Sequence, residues 1–228
     1  MQGQTLAQIR TQAKYRADMQ NSAFVTDPEW LNYINGCYAE LYEFLVATYE
    51  DYYTIPTTLT IAKNFSYASL PADFFKEVGV DLDLGGGQYV TLTKFQFNLR
   101  NIKNNSWMYI NGRPIVQYRI VGDRMEITPT DSAPGNYRMW YIPVFVPLVD
   151  DTDTTQSLQR WDDYIAVGAA IKALTKEESS TTHLDNELAA LKVRIQSMAQ
   201  NRDAGMPDVV QDIDMLNARQ SGWWGGGM

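Results

Sequence analysis

Thr26-Asp27-Pro28-Glu29-Trp30-Leu31-Asn32-Tyr33-Ile34-Asn35-Gly36-Cys37-Tyr38-Ala39-Glu40-Leu41-Tyr42-Glu43-Phe44-Leu45 is the stretch whose reading decides the fold. Thr26 can cap a first turn, and Glu29 follows at the spacing of a capping box. Pro28 falls in that turn, where its missing N–H does no harm. Trp30, Ile34, Cys37, Leu41, Phe44 and Leu45 then recur at intervals of three and four, which is a broad apolar helix face. The spacing predicts a helix over 27–49, ending near Tyr49-Glu50-Asp51, where the pattern changes. Upstream, Leu6, Ile9, Ala13 and Ala17 form one thin stripe over residues 5–20. So thin a stripe cannot hold a helix alone, so this segment must dock on a stronger partner.

Downstream, from residue 52 to about 149, the period changes to two. Strands are predicted at Thr54-Ile55, Leu59–Ile61, Val78–Leu82, Tyr89–Leu92, Trp107–Ile110, Val116–Val121, Met125–Thr128 and Asn136–Tyr141. Turn signals separate them: Gly85-Gly86-Gly87, Asn111-Gly112, Gly122-Asp123 and Pro134-Gly135. Phe95–Arg100 reads as a short helix among them. Many short strands at close spacing indicate a small antiparallel sandwich or barrel. Helical spacing then returns. Trp161, Tyr164, Ile165, Gly168 and Ile171 share one face over 160–177, and Leu184, Leu188, Leu191, Ile195 and Met198 make a heptad-like seam over 183–200. Their short connection makes these two helices antiparallel neighbours.

The expected fold is therefore α+β: an antiparallel bundle of about four helices with an inserted antiparallel β sandwich or barrel lobe and an extended C-terminal arm. The expected units are 1–51 (N-terminal helices), 52–150 (the lobe), 151–202 (C-terminal helices) and 203–228 (the arm). The bundle core is expected to hold Trp30, Ile34, Leu41, Phe44, Trp161, Ile171, Leu188, Leu191 and Ile195.

Composition narrows the function. The 228 residues carry 19 Lys and Arg against 27 Asp and Glu, a net charge of −8, with no basic run. Phosphate neutralisation needs clustered cations, so binding to nucleic acid by charge is not expected. The single cysteine, Cys37, excludes an intrachain disulfide and fits a protein made in a reducing cytosol. Residues 1–16 are polar, without the apolar core of a signal peptide, and no apolar run suits a membrane span. The chain is expected to stay where it is made unless a larger particle carries it.

Catalytic groups are sparse. His183 is the only imidazole and falls near a helix start. Cys37 lies mid-helix on an apolar face, the place of an inert thiol. The carboxylates Asp81 with Asp83, or Asp162 with Asp163, could act as acid and base on a glycoside, but such residues more often cap or solvate. Gly85-Gly86-Gly87 lacks the lysine of a phosphate loop. Asp150-Asp151-Thr152-Asp153 lacks the glycine and final glutamate of a calcium loop, and reads as a solvated linker. No catalytic, metal or cofactor site is expected. Tyr109, Tyr118, Tyr137, Trp140 and Tyr141 offer an alternative, a sugar-stacking face on the lobe.

The C-terminal arm is more informative. Met206, Val209, Val210, Ile213, Met215 and Leu216 are scattered among polar residues, and Trp223 and Trp224 stand in a glycine-rich end. Adjacent exposed indoles are a solubility liability unless a partner covers them. Fully extended, residues 203–228 reach about 85 Å.

Three stretches resemble the head-to-tail adaptor, or connector, proteins of tailed bacteriophages. One is Thr5–Arg10 leading into Asp27-Pro28-Glu29-Trp30-Leu31-Asn32-Tyr33-Ile34-Asn35 and Ala39–Tyr42. Another is Phe65-Ser66-Tyr67 through Leu70-Pro71-Ala72-Asp73-Phe74 to Lys76-Glu77-Val78. The last is Trp161-Asp162-Asp163-Tyr164-Ile165-Ala166-Val167-Gly168-Ala169-Ala170, then Leu174 and Lys176-Glu177-Glu178. The order and spacing of the three carry the resemblance; the arm and the details of the lobe lie outside it. It implies a structural virion protein at the head–tail interface. Such a subunit forms a homo-oligomeric, dodecameric ring, docks on the portal protein through the arm, meets a tail or nozzle protein, and passes DNA without binding it specifically.

Overall fold

A computed structural model describes residues 3–99, 109–110, 113–130, 133–156 and 161–201. The arm, with Met206, Val209, Val210, Ile213, Met215, Leu216, Trp223 and Trp224, lies outside the described residues. So do Arg100, Trp107-Met108 and Asn111-Gly112.

Among the described residues four α-helices form: α1 (Leu6–Arg16), α2 (Asp27–Thr48), α3 (Asp162–Lys176) and α4 (Thr182–Gln200). Thr5 begins α1 with a capping box of its own, its amide donating to Gln8 Oε1 at 3.0 Å and its hydroxyl accepting from the Gln8 amide at 3.3 Å. The helix stops at Arg16, short of residue 20, because Ala17 is the C-cap and Asp18 turns to φ 55°. Ala17 still buries with Leu6, Ile9 and Ala13. On α2, the Thr26 amide donates to Glu29 Oε2 at 2.8 Å.

Contacts at the helix ends set the directions. Lys14–Asp27 (2.9 Å), Lys176–Glu29 (2.7 Å) and Arg16–Glu187 (2.6 Å) gather the C-termini of α1 and α3 with the N-termini of α2 and α4. At the opposite end the Tyr52 ring lies 5.5 Å from Trp161. α2 and α4 therefore run antiparallel to α3, while α1, which also packs on α3, runs parallel to it. Such exposed ion pairs add little stability, but they mark the geometry. α3 touches α1, α2 and α4. Its run of Ala166, Val167, Gly168, Ala169, Ala170 and Ala173 is buried, and small side chains let three helices approach one.

Trp30, Ile34, Leu41, Trp161, Leu191 and Ile195 are buried in this core, whereas Phe44, Ile171 and Leu188 are half-buried against it. Met198, expected on the seam of α4, is 54% exposed, and Ala199 is buried in its place. An α-helix turns once per about 3.6 residues, so a strict seven-residue seam drifts off the face by its second repeat.

The lobe holds two four-stranded sheets. One has the order β1 (Ile55–Ile61), β10 (Gly135–Pro143), β3 (Phe74–Gly85), β4 (Gln88–Thr91); the other runs β2 (Tyr67–Ser69), β9 (Arg124–Thr128), β8 (Gln117–Val121), β5 (Thr93–Lys94). β6 (Tyr109–Ile110) and β7 (Arg113–Pro114) pair separately. The predicted Thr54-Ile55 and Leu59–Ile61 merge into one strand that begins at Ile55, leaving Thr54 just outside it. Pro56 is tolerated inside it because β1 is a sheet edge. β2 went unpredicted. Phe97–Leu99 is a 3-10 turn. The lobe is not wholly antiparallel: β5 pairs β8 in parallel, which the long excursion between them permits. Leu59, Ile61, Val80, Tyr137, Met139 and Tyr141 of one sheet meet Ala68, Tyr118, Met125 and Ile127 of the other in a second core.

α2 and α3 pack closely in the helical core. A Cβ placed on Gly168 would stand 2.7 Å from Cys37 Sγ. Burial pushes that thiol up to about 11, so it stays a packing group. Gly168→Ala is expected to destabilise the fold by about 1–3 kcal/mol through overpacking. Adding Cys37→Ala should return most of that loss, as measured by denaturant unfolding of the four proteins of the cycle. Additive effects would show that the two residues do not meet.

Candidate functional site

The two cores join at one place. Tyr137, Met139 and Tyr141 of β10 face the lobe, while Ile142 faces the helices and is fully buried there. Trp140 pairs with Gly79 and Tyr141 with Glu77, so Val78 is left over as a β-bulge and packs on the helical core with Ile142.

Residues 144–149 continue from β10 as an extended strap along α2. The side-chain amide of Asn35 holds it twice: Nδ2 donates to the Leu148 carbonyl and Oδ1 accepts from the Leu148 amide, each at 2.9 Å. The Phe145 ring stands edge-on to Tyr38 at 4.9 Å, and the Tyr42 hydroxyl donates to the Pro143 carbonyl. Burial pushes the Tyr42 hydroxyl up to about 12, so it remains a donor.

The acidic stretch after the strap is a folded turn rather than a loose linker. Asp153 Oδ2 accepts the amides of Val149 (2.7 Å) and Asp150 (2.8 Å), and those two bonds hold its carboxyl below the usual range. The turn carries the start of α1: the Leu6 amide donates to the Asp153 carbonyl at 2.9 Å, and Arg10 pairs with Asp151 at 2.7 Å. Asp162, fully buried in the first turn of α3, closes the junction. Its Oδ2 accepts the Gln4 amide at 2.9 Å and its Oδ1 the Thr155 hydroxyl at 2.6 Å.

Where body and lobe meet, an open cleft of about 520 Å³ remains, lined by Tyr52–Ile55, Asp73, Pro143, Val144, Val146 and Thr154–Gln156. Its walls are apolar and hydroxyl-bearing. One carboxylate, Asp73, lies there and accepts the Tyr141 hydroxyl at 3.0 Å. No imidazole or thiol lines it, so the cleft suits recognition better than acid–base chemistry.

The other carboxylate candidates serve structure. Asp81 accepts the Thr91 hydroxyl at 2.8 Å and the Trp140 indole N–H at 2.9 Å, and Asp83 accepts the Gly85 amide at 2.7 Å. The last bond closes a turn in which Gly86 and Gly87 take positive φ, as only glycine does freely. Asp162 is tied as above, Asp163 is half-buried beside it, and His183 is exposed at the start of α4. Among the described residues no group of three or more His, Cys, Asp or Glu could hold a metal ion. The aromatic face does not assemble. Tyr118, Tyr137 and Tyr141 are buried, their hydroxyls donating to Glu77, Ala133 and Asp73. Trp140 is half-buried, with Arg138 lying between it and Tyr89. The Tyr109 side chain lies outside the described residues.

Sequence reasoning missed Asn35 and the strap, and named Asp162 as a carboxylate candidate without its partners. Their partners lie at sequence separations of 113 and 158, beyond any local pattern. The signal present was two polar residues, Asn35 and Asp162, set among apolar ones.

A family model described as SU10 adaptor protein matches residues 4–212. No curated protein matches the chain.

Asn35→Ala is expected to cost about 1–3 kcal/mol, because it strands the Leu148 amide and carbonyl together. Amide exchange at Leu148 should then outpace exchange in the middle of α2. Unchanged protection at Leu148 would show that the strap is held by other contacts.

Proposed function

We propose, on the premise that the chain belongs to the SU10 adaptor protein family and is thus a phage structural adaptor and virion component, that it forms a homo-oligomeric ring between portal and tail. In this reading it is a non-catalytic, dodecameric head-to-tail connector. Made in the host cytoplasm, it docks on the portal protein through residues 203–228, meets a tail or nozzle protein on its far side, and extends the DNA channel.

The observation that carries this reading is the family match across residues 4–212, which takes in both helical halves and the lobe between them. Charge agrees with it: at −8 the chain repels a polyanion, which suits a channel that DNA must traverse without sticking. Among the described residues no helix is long and apolar enough to cross a membrane.

The arm's energetics favour collective docking. Burying both indoles removes roughly 300–500 Å², worth about 8–12 kcal/mol before costs. Ordering the chain that carries them costs on the order of 6–12 kcal/mol. One arm alone is a marginal binder. A ring of arms is not, since every contact after the first is intramolecular.

Deleting Gly222–Met228 is expected to leave the melting temperature unchanged and to weaken attachment to portal rings by about tenfold or more, read by co-sedimentation of the full-length and shortened chains. Equal attachment of both would remove the arm's docking role.

A further inference from the structure

We infer that, in the ring proposed above and resting on that reading, the strap and cleft of one copy receive the outward face of α4 from the next copy. The strap is built to present apolar side chains. Phe145 and Leu148 are anchored on α2, and between and beside them Val144 and Val146 stand 45% and 67% exposed, with Ile55 across the cleft at 40%. The backbone beneath is fixed by the Asn35 clamp and by the Val144 amide donating to the Asp73 carbonyl at 2.6 Å. Branched apolar side chains held rigidly in water make a surface that a partner completes.

α4 supplies a matching face. Leu184, Leu191 and Ile195 turn inward, and Val193 points about 180° away from Leu184 at 3.6 residues per turn. It is 68% exposed, and the exposed Ala189 and Ala190 beside it leave it proud of the helix.

The two surfaces lie on opposite flanks of the body, as a closed ring of identical subunits requires. α2 separates them. Tyr42 touches the strap through Phe145 and Pro143, whereas Phe44 lies under Lys192 of α4 at 5.3 Å. Residues two apart on a helix point about 200° from each other.

Charge selects this pairing over strap against strap. Among the described residues lining the cleft, Asp73 is the one charged residue, and Asp51 and Asp153 adjoin Tyr52 and Thr154 of its wall. Beyond Asp185 and Glu187, the latter paired with Arg16 of its own subunit, α4 from Leu188 to Gln200 carries Arg194 and Lys192, the latter over Phe44 of its own subunit, and no acid. Unlike faces attract, while two straps would set acid against acid.

Cys37 is buried and is the chain's one cysteine, so an introduced surface thiol reports alone. Full-length chains carrying Val146→Cys, Val193→Cys or both are assembled on portal rings, oxidised and sized under denaturing conditions. The double variant is expected to give a ladder of cross-linked multimers. Mixed single variants should give dimers and nothing larger, and each single variant alone should stay uncross-linked. Rings that form without cross-links, or dimers from one single variant alone, overturn this interface and leave the ring standing. A chain that native mass measurement finds never assembles, even with portal present, overturns the ring reading and this interface together.

Discussion

The buried carboxylate of Asp162 is the constraint on which the junction depends. A carboxylate sealed from water at the first turn of a helix is favoured by the helix N-terminus, but it also needs hydrogen-bond donors. The chain brings those donors from Gln4, just before α1, and from Thr155, just after the acidic turn. One side chain thus ties the segment before α1 to the chain between the acidic turn and α3. The short bridge between Thr5 and Thr154 and the amide bonds from Leu6 and Ala7 to the turn follow from that meeting. A stripe as thin as that of α1 stays folded because its first turn is anchored at this point.

The same junction explains how a β lobe can leave a helical body and return without hinging freely. β10 changes allegiance within two residues: Tyr141 belongs to the lobe core and Ile142 to the helical core. The bulge at Val78 makes the matching change on β3. The strap then carries the chain down α2 under the Asn35 clamp. Across this shared seam each core stiffens the other.

Much of this was legible in the sequence, and the parts that were not share a physical cause. α2 could be read because its cap, its proline and its apolar face all lie within its own span. The hairpin at Gly122-Asp123 was legible for the same reason. Pattern failed where a distant partner decides. Lys76 and Glu77 look unlike a strand, yet β3 runs through them because β10 pairs with both. The acidic stretch is solvated as expected, yet Asp153 folds it into a turn and α1 rests on it. Three of the lobe tyrosines looked available for a ligand, yet Glu77, Asp73 and the Ala133 carbonyl wait inside for their hydroxyls. The capping box at Thr5-Leu6-Ala7-Gln8 was the one local signal passed over.

Membership of an adaptor family gives these features a common purpose. In the ring proposed above, the helices supply a stiff unit, the strap and α4 supply unlike flanks, and the acidic balance disfavours sticking of DNA. The most direct test is an image of portal rings assembled with the full-length chain. The account predicts a ring of copies coaxial with the portal, on its tail-facing side, around an open channel. Copies bound singly at the portal's periphery, or density confined to another part of the particle, would contradict it.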